Sequence, residues 1–456
     1  MEKDAYFHNR QGQSLMATRP REAISHFASA IELGYNQPDC YCNLSVLLID
    51  LKQFEDALSI CTLGLQLCGE SAPVLGNQGV ALSRLGLLEE ALAAFQRQAS
   101  LLKSAERPWV NLGIVLLGLG RLEEAKHHFK KAIQLNPNDR EAHGHLSLAF
   151  LLEGNYRAGF REYEMRLPVK PGSGFPQPFW QGEALQNKRI LLTAEQGIGD
   201  VIQFARYAPL VRERGGQVIL EIPRTLARLF AWSTDQFETV IAGQHKTSFD
   251  LQCPLLSLPL RCRTDEGNIP PPQEIKVPEE MKRRWAGVVG ETVCMRVALV
   301  WAGNPLHAKD ANRSIPLARL AQLFVHANVR WFSLQVGEPA SQIAANGWSD
   351  RILDVSPLLN DYAETAGALS KMDLLITVDT SVAHLAGMLH VPVWLLLPFV
   401  PDWRWLLKRE DSPWYPSMRL FRQPARRDWQ SVINEVAAEL ATISTENLER
   451  TPSLIG

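Results

Sequence analysis

The sequence predicts an α + α/β protein in which a stack of helical repeats precedes two doubly wound domains. A 34-residue period runs through residues 1–167 and indicates paired helices. From residue 188 onward, apolar runs alternate with amphipathic segments, a pattern typical of parallel sheets covered by helices. A segment rich in proline and glycine, 168–187, predicts a linker. The predicted α/β domains are 188–288 and 289–445, followed by a tail, 446–456.

The composition is that of an ordinary globular protein. The 456 residues are 46% hydrophobic and 21% charged, and the net charge of −2 gives no electrostatic reason to expect a nucleic-acid partner. The most apolar run, 391–400, is too short for a membrane span and contains two prolines, and the first residues have no apolar signal-peptide core. Seven cysteines without a C-x-x-C pair argue against disulfides or zinc and favour a cytoplasmic location.

Three columns of residues share the 34-residue period. Alanines, phenylalanines with one cysteine, and small residues form one column each: Ala23, Ala57, Ala91 and Ala125; Phe27, Cys61, Phe95 and Phe129; Ser45, Gly79, Gly113 and Ser147. Small side chains let two helices approach closely, and the bulky side chain fills the groove beside them. The spacing resembles the tetratricopeptide repeat, whose stacks form a concave surface that binds proteins or peptides. We predict four repeats and a fifth, from about residue 140, that caps the stack.

An asparagine column runs at the same period through Asn43, Asn77 and Asn111. A side-chain amide donates and accepts at once, so such a ladder can pair with an extended acceptor peptide. A similar ladder is used by protein O-N-acetylglucosamine transferase, which also joins these repeats to a transferase. The alternative is that asparagine is merely frequent at this repeat position. The column becomes His145 in the fifth unit, where any ladder would end.

The first α/β half opens with a strand–turn–helix–strand pattern. Strands are predicted at 189–194 and 217–221, joined by the turn Glu195-Gln196-Gly197-Ile198-Gly199-Asp200 and a helix over 201–214. Weaker strands are predicted at 239–241 and 249–251. Residues 261–278 are polar and proline-rich, so they predict a connection to the second half.

The second half repeats the alternation of strands and helices. Strands are predicted at 296–301, 330–334, 351–355, 374–378 and 391–397, and helices at 361–371 and 429–442. Asp379, Thr380 and Ser381 follow one strand and offer N-cap side chains for a short helix. A helix start at the carboxyl edge of a sheet favours an anion such as phosphate. The alternative is that these three residues only cap the helix.

Two motifs resemble glycosyltransferase family 9, which includes the lipopolysaccharide heptosyltransferases and has the GT-B fold. They are Gly197-Ile198-Gly199-Asp200 and Asp379-Thr380-Ser381-Val382-Ala383-His384-Leu385-Ala386. The resemblance covers roughly residues 188–445. The whole chain is similar to bacterial proteins that fuse tetratricopeptide repeats to a heptosyltransferase-like domain, some of which are implicated in protein glycosylation.

The resemblance implies a nucleotide-sugar donor site with Asp200 facing it as general base. It places Asp379, Thr380, Ser381 and His384 at the diphosphate and sugar of the donor. The chain has no D-x-D motif, so we expect neither a metal nor another cofactor. Cations for the diphosphate are available in the loop 301–314. The other predicted donor contacts are Asn304, Lys309, Arg313 and Gln335.

Each assignment has a simpler alternative. Asp200 can cap the helix that follows it, and Glu195 is the second candidate for the base. Arg313 can pair with a surface carboxylate, His384 can be a packed helix residue, and Gln335 can close a loop. The aromatic cluster Trp403, Arg404, Trp405 and Trp414 can stack on sugar, but we expect it to pack against the terminal helix.

These expectations combine into a metal-independent glycosyltransferase that modifies a protein hydroxyl held by its own repeats. Two alternatives remain open. The chain can be an adaptor with a non-catalytic GT-B domain, or it can modify a glycan or lipid-linked acceptor while the repeats dock a partner.

Overall fold

The computed structural model describes residues 2–167, 175–234, 237–244, 247–307 and 310–450, except for the side chains of 445–450. The chain divides into two compact units between Phe150 and Leu151. Residues 168–174 of the predicted linker, the last residues of the predicted tail and Lys309 lie outside the described residues.

The first eight helices pack in sequence-adjacent pairs, and the ninth begins in the first unit and ends just past its boundary. The helices are α1 (Glu2–Leu15), α2 (Pro20–Glu32), α3 (Pro38–Asp50), α4 (Phe54–Cys68), α5 (Ala72–Leu85), α6 (Leu88–Leu101), α7 (Arg107–Gly118), α8 (Leu122–Leu135) and α9 (Arg140–Leu152). This order follows the predicted repeat.

Close packing within each pair explains the small-residue column. A Cβ added at Gly79 would lie 2.5 Å from the Phe95 ring, and one added at Gly113 would lie 2.4 Å from the Phe129 ring. Only glycine therefore leaves room for the aromatic side chain in these pairs. The alanine column is fully buried, as the sequence predicts.

The second unit begins before the predicted linker. Its first complete helix is α10 (Tyr156–Tyr163), followed by a 3-10 turn over Glu164–Arg166. Tyr156 and Phe160 of α10 lie edge-on to Trp403, with ring centroids 6.3 and 5.5 Å away. The sequence period assigns this helix to a fifth repeat, whereas its buried aromatic side chains place it in the second unit.

The second unit contains two parallel sheets among the described residues. The first has the strand order β3-β2-β1-β4. Its strands are β1 (Arg189–Thr193), β2 (Gln217–Ile222), β3 (Glu238–Ile241) and β4 (Leu251–Pro254). The accompanying helices are α11 (Ile198–Phe204), α12 (Ala208–Glu213), α13 (Ala227–Phe230) and α14 (Leu258–Arg261), and α15 (Glu279–Val289) follows them before the second sheet. Trp180, predicted to anchor the end of the linker, is fully buried.

The second sheet has the strand order β10-β9-β8-β5-β6-β7. Its strands are β5 (Met295–Val300), β6 (Val329–Ser333), β7 (Ile352–Asp354), β8 (Leu374–Val378), β9 (Val393–Leu397) and β10 (Met418–Arg422). The helices are α16 (Asp310–Arg313), α17 (Gln342–Ala345), α18 (Tyr362–Leu369), α19 (Ser381–Met388) and α20 (Trp429–Arg450). Apolar side chains of the central strands and α20 form one buried cluster.

The elements depart from the predictions at four points. The helix predicted over 201–214 is divided into α11 and α12, because Pro209 has no N–H to continue the helical bonds. The strand predicted at 249–251 begins only at Leu251, and α20 extends past the predicted end at Thr442. The edge strand β10 was not predicted. Within the described part of the chain, every helix is too short or too polar to span a bilayer.

Candidate functional site

The candidate site lies where the strand order of each sheet reverses. In the six-stranded sheet the chain runs outward from β5 in one direction and from β8 in the other. In the four-stranded sheet the corresponding reversal lies between β1 and β4. The loops that leave neighbouring strands at such a point open a crevice, where ligands bind in open α/β sheets. The two sequence motifs follow β1 and β8, so each lies at a reversal point.

The start of α19 lacks the side-chain cap that the sequence predicts. Thr380 occupies the N-cap position but its side chain accepts no hydrogen bond from the helix, and its Oγ1 lies 3.4 Å from Oγ1 of Thr377. The Ser381 hydroxyl is instead 2.5 Å from the hydroxyl of Tyr362. Capping alone therefore does not account for these residues, and the helix start keeps its tendency to attract an anion.

Asp379 is an unusual carboxylate for this position. It keeps a part of its surface exposed, yet burial among protein atoms and the nearby Asp402 carboxylate together raise its pKa to about 6. Arg313 and Arg404 act in the opposite direction. Both guanidinium groups are therefore close enough to influence the charge at the end of β8.

His384 is packed rather than presented to a ligand. It is only 5% exposed, and its Nδ1 lies 3.0 Å from the hydroxyl of Tyr415. Burial and the nearby Arg404 guanidinium together lower the pKa of His384 to about 3, so the ring is neutral at neutral pH. The geometry favours the packed alternative over the predicted donor contact.

Gly199 is the point at which α11 and α19 approach each other. A Cβ at this position would lie 2.8 Å from Cδ2 of His384 and 3.5 Å from Cα of Ser381. The second glycine of the Gly-x-Gly motif therefore allows the starts of the two helices to meet. It brings the motif after β1 against the motif after β8.

Asp200 is held by two contacts at this meeting point. Its Oδ2 accepts a hydrogen bond of 2.7 Å from the Gly197 N–H, so it does close the start of α11. Its Oδ1 accepts from Nη2 of Arg404 in a close ion pair. The side chain keeps 15% of its surface exposed. Capping and a role in chemistry are thus compatible for this residue.

Arg404 is the functional candidate that sequence reasoning missed. Its guanidinium also donates to Asp402 at 2.8 Å and to the side-chain carbonyl of Gln203, and it lies 4.5 Å over the Trp403 ring. Burial by itself lowers the pKa of Arg404, but the Asp402 and Asp200 carboxylates raise it above its usual value. The sequence signal was an arginine between two tryptophans after a buried strand, which suggested sugar stacking or packing against the terminal helix rather than an ion pair with Asp200.

Arg313 joins the two loops that border the crevice of the second sheet. Its Nη1 donates to the Asp379 carbonyl at 2.8 Å, and its Nε pairs with Asp310 at 3.1 Å. Arg313 therefore pairs with a carboxylate, although a largely buried one, and its contact with the donor stays a prediction. Asn304 lies exposed in the same loop, with its Oδ1 accepting from the Leu306 N–H at 3.0 Å.

Gln335 holds the loop after β5 in place. Its Oε1 accepts from the N–H groups of Trp301 and Ala302 at 3.0 and 2.9 Å, and its Nε2 donates to the Val336 carbonyl at 3.1 Å. The residue is only 3% exposed. These contacts favour loop closure over the predicted contact with the donor.

The asparagine column has contacts within the first unit. Asn77 donates through Nδ2 to the Cys42 carbonyl at 3.1 Å and to the Ser45 hydroxyl at 2.8 Å. Asn111 is 8% exposed, whereas Asn43 is more accessible. The bonds from Asn77 tie α5 to α3, and the peptide ladder stays a prediction.

Comparisons with known proteins agree with the helical part of this description. A tetratricopeptide repeat model matches residues 107–139. Protein FlbA of Caulobacter vibrioides is 24% identical over 436 residues, which cover 87% of this chain and 72% of FlbA. The chain thus contains at least one recognised tetratricopeptide repeat and has a distant relative along most of its length.

Several solved structures are also similar to part of the chain. MamA of Desulfovibrio magneticus RS-1, from its residue 41 to the end, has 18% identity and a TM-score of 0.33, over 36% of this chain and 91% of that one. YrrB, described as a TPR protein with an unusual peptide-binding site, has 18% identity and a TM-score of 0.32, over 36% and 84%. PilF of Pseudomonas aeruginosa has 21% identity and a TM-score of 0.33, over 36% and 75%.

The chain therefore combines a helical unit that contains a recognised tetratricopeptide repeat with a unit built on parallel sheets. Repeats of this kind bind proteins or peptides, which supports a role in protein interaction. Within the described residues, no group of three or more His, Cys, Asp or Glu side chains is placed to hold a metal ion.

Proposed function

We propose that the second unit is a GT-B glycosyltransferase that uses a nucleotide-sugar donor without a metal. The acceptor in this proposal is a protein hydroxyl, and the tetratricopeptide repeats recruit the protein that carries it. The observation that carries the proposal is the bond from Arg313 to the Asp379 carbonyl at the reversal point between β5 and β8. It supports a donor site because a cation and an uncapped helix start border the same crevice.

The proposed reaction uses Asp200 as the base. The acceptor oxygen attacks the anomeric carbon of the sugar while its proton passes to Asp200, and the bond from that carbon to the diphosphate oxygen breaks. A carboxylate has about four lone-pair positions, so the bonds from Gly197 and Arg404 leave capacity for this proton. Arg404 keeps the carboxylate oriented.

The leaving diphosphate is the negatively charged product that must be stabilised. We assign it to the N–H groups of Thr380 and Ser381 and to the guanidinium of Arg313, which can make two parallel bonds to phosphate. We assign the Asp379 carboxylate to a sugar hydroxyl, from which it can accept a hydrogen bond. Asn304 and Lys309 are further proposed contacts from the loop after β5.

The first unit offers a surface that is suited to peptide recruitment. A cavity of about 440 Å³ in this unit has an aromatic and basic lining that includes Lys103, Trp109, His128 and Lys131. The Trp109 and His128 rings are stacked with their centroids 5.6 Å apart, and the Lys131 ammonium lies 6.0 Å from the Trp109 centroid. These features supplement the predicted concave surface and support a protein acceptor.

Transfer of radiolabelled sugar tests the proposal. The full-length protein is incubated with labelled nucleotide-sugars and a lysate of the source organism, with EDTA present, and the protein and lipid fractions are counted. We expect label in protein, and Asp200→Asn to reduce it on the order of 100-fold or more, as for loss of a general base. Undiminished label with the Asn variant would refute the base assignment.

Two other outcomes would select the alternatives. Label that accumulates in the lipid fraction alone would indicate a lipid-linked acceptor, with the repeats docking a partner. Absence of label, together with absence of nucleotide binding, would indicate an adaptor.

A further inference from the structure

The turn that carries Asp200 is held by the segment immediately after the repeats. This segment comprises α10 and its 3-10 turn, residues 156–166, and it belongs to the second unit. Its aromatic residues pack against Trp403 beside Arg404, as described above. Its polar residues contact the turn over residues 195–200, which carries Asp200, the other member of the Asp200–Arg404 ion pair.

Arg166 binds Glu195 at the start of this turn. The guanidinium donates through Nε and Nη2 to the two oxygens of the Glu195 carboxylate, at 3.0 and 2.7 Å. Both side chains are less than one-fifth exposed, and the Leu256 N–H also donates to Glu195 at 3.2 Å. A paired and partly buried guanidinium fixes orientation as well as charge. Glu195 is therefore better suited to holding the turn than to serving as the second candidate base.

Tyr163 contacts the next residue of the turn. The Gln196 side chain donates through Nε2 to the Tyr163 hydroxyl in a close contact, and Gln196 has a φ of 56°. A residue other than glycine in this left-handed region is held there at a conformational cost of about 1 kcal/mol. The Arg166 guanidinium lies 4.5 Å over the Tyr163 ring, so the two contacts support each other.

We infer that Arg166 and Tyr163 are positioning residues for the proposed transfer: they hold residues 195–200 so that Asp200 meets the acceptor hydroxyl. This inference rests on the proposed function. Neither residue is assigned a contact with the donor, so their loss is expected to lower kcat and to leave the KM for the nucleotide-sugar nearly unchanged. The role also predicts that the turn itself becomes more mobile when the contacts are removed.

Hydrogen–deuterium exchange and kinetics of full-length variants test the inference. In Arg166→Ala and Tyr163→Phe we expect amide exchange in 195–200 to rise about tenfold, because local opening costs less free energy. We expect kcat to fall on the order of 10- to 100-fold, as for small misplacements of a reacting group. Arg166→Lys is expected to restore neither the slow amide exchange nor kcat to any large extent, because a point charge cannot bind both carboxylate oxygens.

A matched control is Arg157→Ala, which removes an exposed ion pair with Asp265 from the same helix. We expect it to match the wild-type protein in both measurements. The inference would be overturned if amide exchange in residues 195–200 of Arg166→Ala were as slow as in the wild-type protein. It would also be overturned if exchange rose equally in the Arg157→Ala control. If the wild-type protein transfers no sugar, the proposed function fails, whereas the exchange result still decides whether these residues hold the turn.

Discussion

The Arg404 guanidinium connects Asp200 of α11 to Asp402 in the loop after β9. A buried cation between two carboxylates is satisfied only if the surrounding elements keep all three groups in place. Its partners are separated by about two hundred residues of chain, so a local sequence pattern could not reveal the pair. The sequence did place Asp200 at the start of a helix, because Gly-x-Gly-Asp after an apolar strand has local meaning.

Gly199 gives a test of the contact between the two motifs. We expect Gly199→Ala to lower the free energy of unfolding by about 1–3 kcal/mol, because its Cβ would overlap the His384 ring and force a shift. Denaturant unfolding of the full chain measures this change. The control is Gly287→Ala in α15, where a Cβ meets nothing within 4 Å and a small gain in stability is expected. Equal effects of the two substitutions would contradict the close approach.

Asp379 gives a pH test with a defined sign. Its pKa of about 6 in the folded protein lies above the ordinary value of 3.8. Its favourable contribution to the free energy of unfolding is therefore complete below about pH 4 and is lost as pH rises through 6. The His384 contribution changes in the opposite sense, since its lowered pKa favours stability above its ordinary value of 6.5 and loses it as pH falls toward 3. The pH dependence of stability in the wild-type protein therefore combines the contributions of Asp379 and His384.

A difference between variants separates the Asp379 contribution. Between pH 4 and pH 7.5 we expect Asp379→Asn to gain stability relative to the wild-type protein by about 1–2 kcal/mol, allowing for partial exposure. Urea unfolding at the two pH values measures the difference. Asp350→Asn, at an exposed position, is the control and should show no such trend. A gap that stays constant with pH would exclude a raised pKa at Asp379.

At the scale of elements, the repeat helices follow from the sequence more directly than any other part. The 34-residue period places Gly79 and Gly113 opposite Phe95 and Phe129 in successive repeats, where each glycine leaves room for the ring. Helix boundaries were harder to predict in the second unit, where Pro209 interrupts a regular apolar pattern. The edge strand β10 was missed because Met418–Arg422 is only five residues long and two of them are arginines, which weakens its apolar signal.

The aromatic column of the repeats can be tested by truncation. We expect Phe129→Ala to destabilise the protein by about 3–5 kcal/mol, because the ring is fully buried against Gly113 and its loss leaves a cavity. Phe7→Ala is the matched control, since Phe7 is 55% exposed and its loss should change stability by less than about 0.5 kcal/mol. Thermal unfolding followed by circular dichroism compares them. Similar losses at both positions would contradict the proposed packing.

At the scale of the whole molecule, the order of elements was predictable and the use of α10 was not. Alternating strands and helices predict parallel sheets, and the motifs after β1 and β8 lie at reversal points in the strand order. The repeat period keeps Gly154 and Tyr163 in the fifth unit, although Gly159 stands where alanine is expected, so it assigned residues 156–166 to the solenoid. Their contacts with Glu195 and Gln196 depend on tertiary packing that periodicity does not describe.

The donor site is the central claim, and nucleotide binding tests it most directly. Thermal unfolding of the full-length protein is measured with UDP, GDP, ADP, CMP and their common sugar conjugates, in EDTA. Ligand at 100 times its Kd stabilises the folded state by about 2.7 kcal/mol, so we expect one nucleotide class to raise Tm by several degrees. Arg313→Ala should abolish the shift and Arg319→Ala, at an exposed position, should retain it. No shift with any nucleotide at millimolar concentration, or an undiminished shift in Arg313→Ala, would contradict the proposed site.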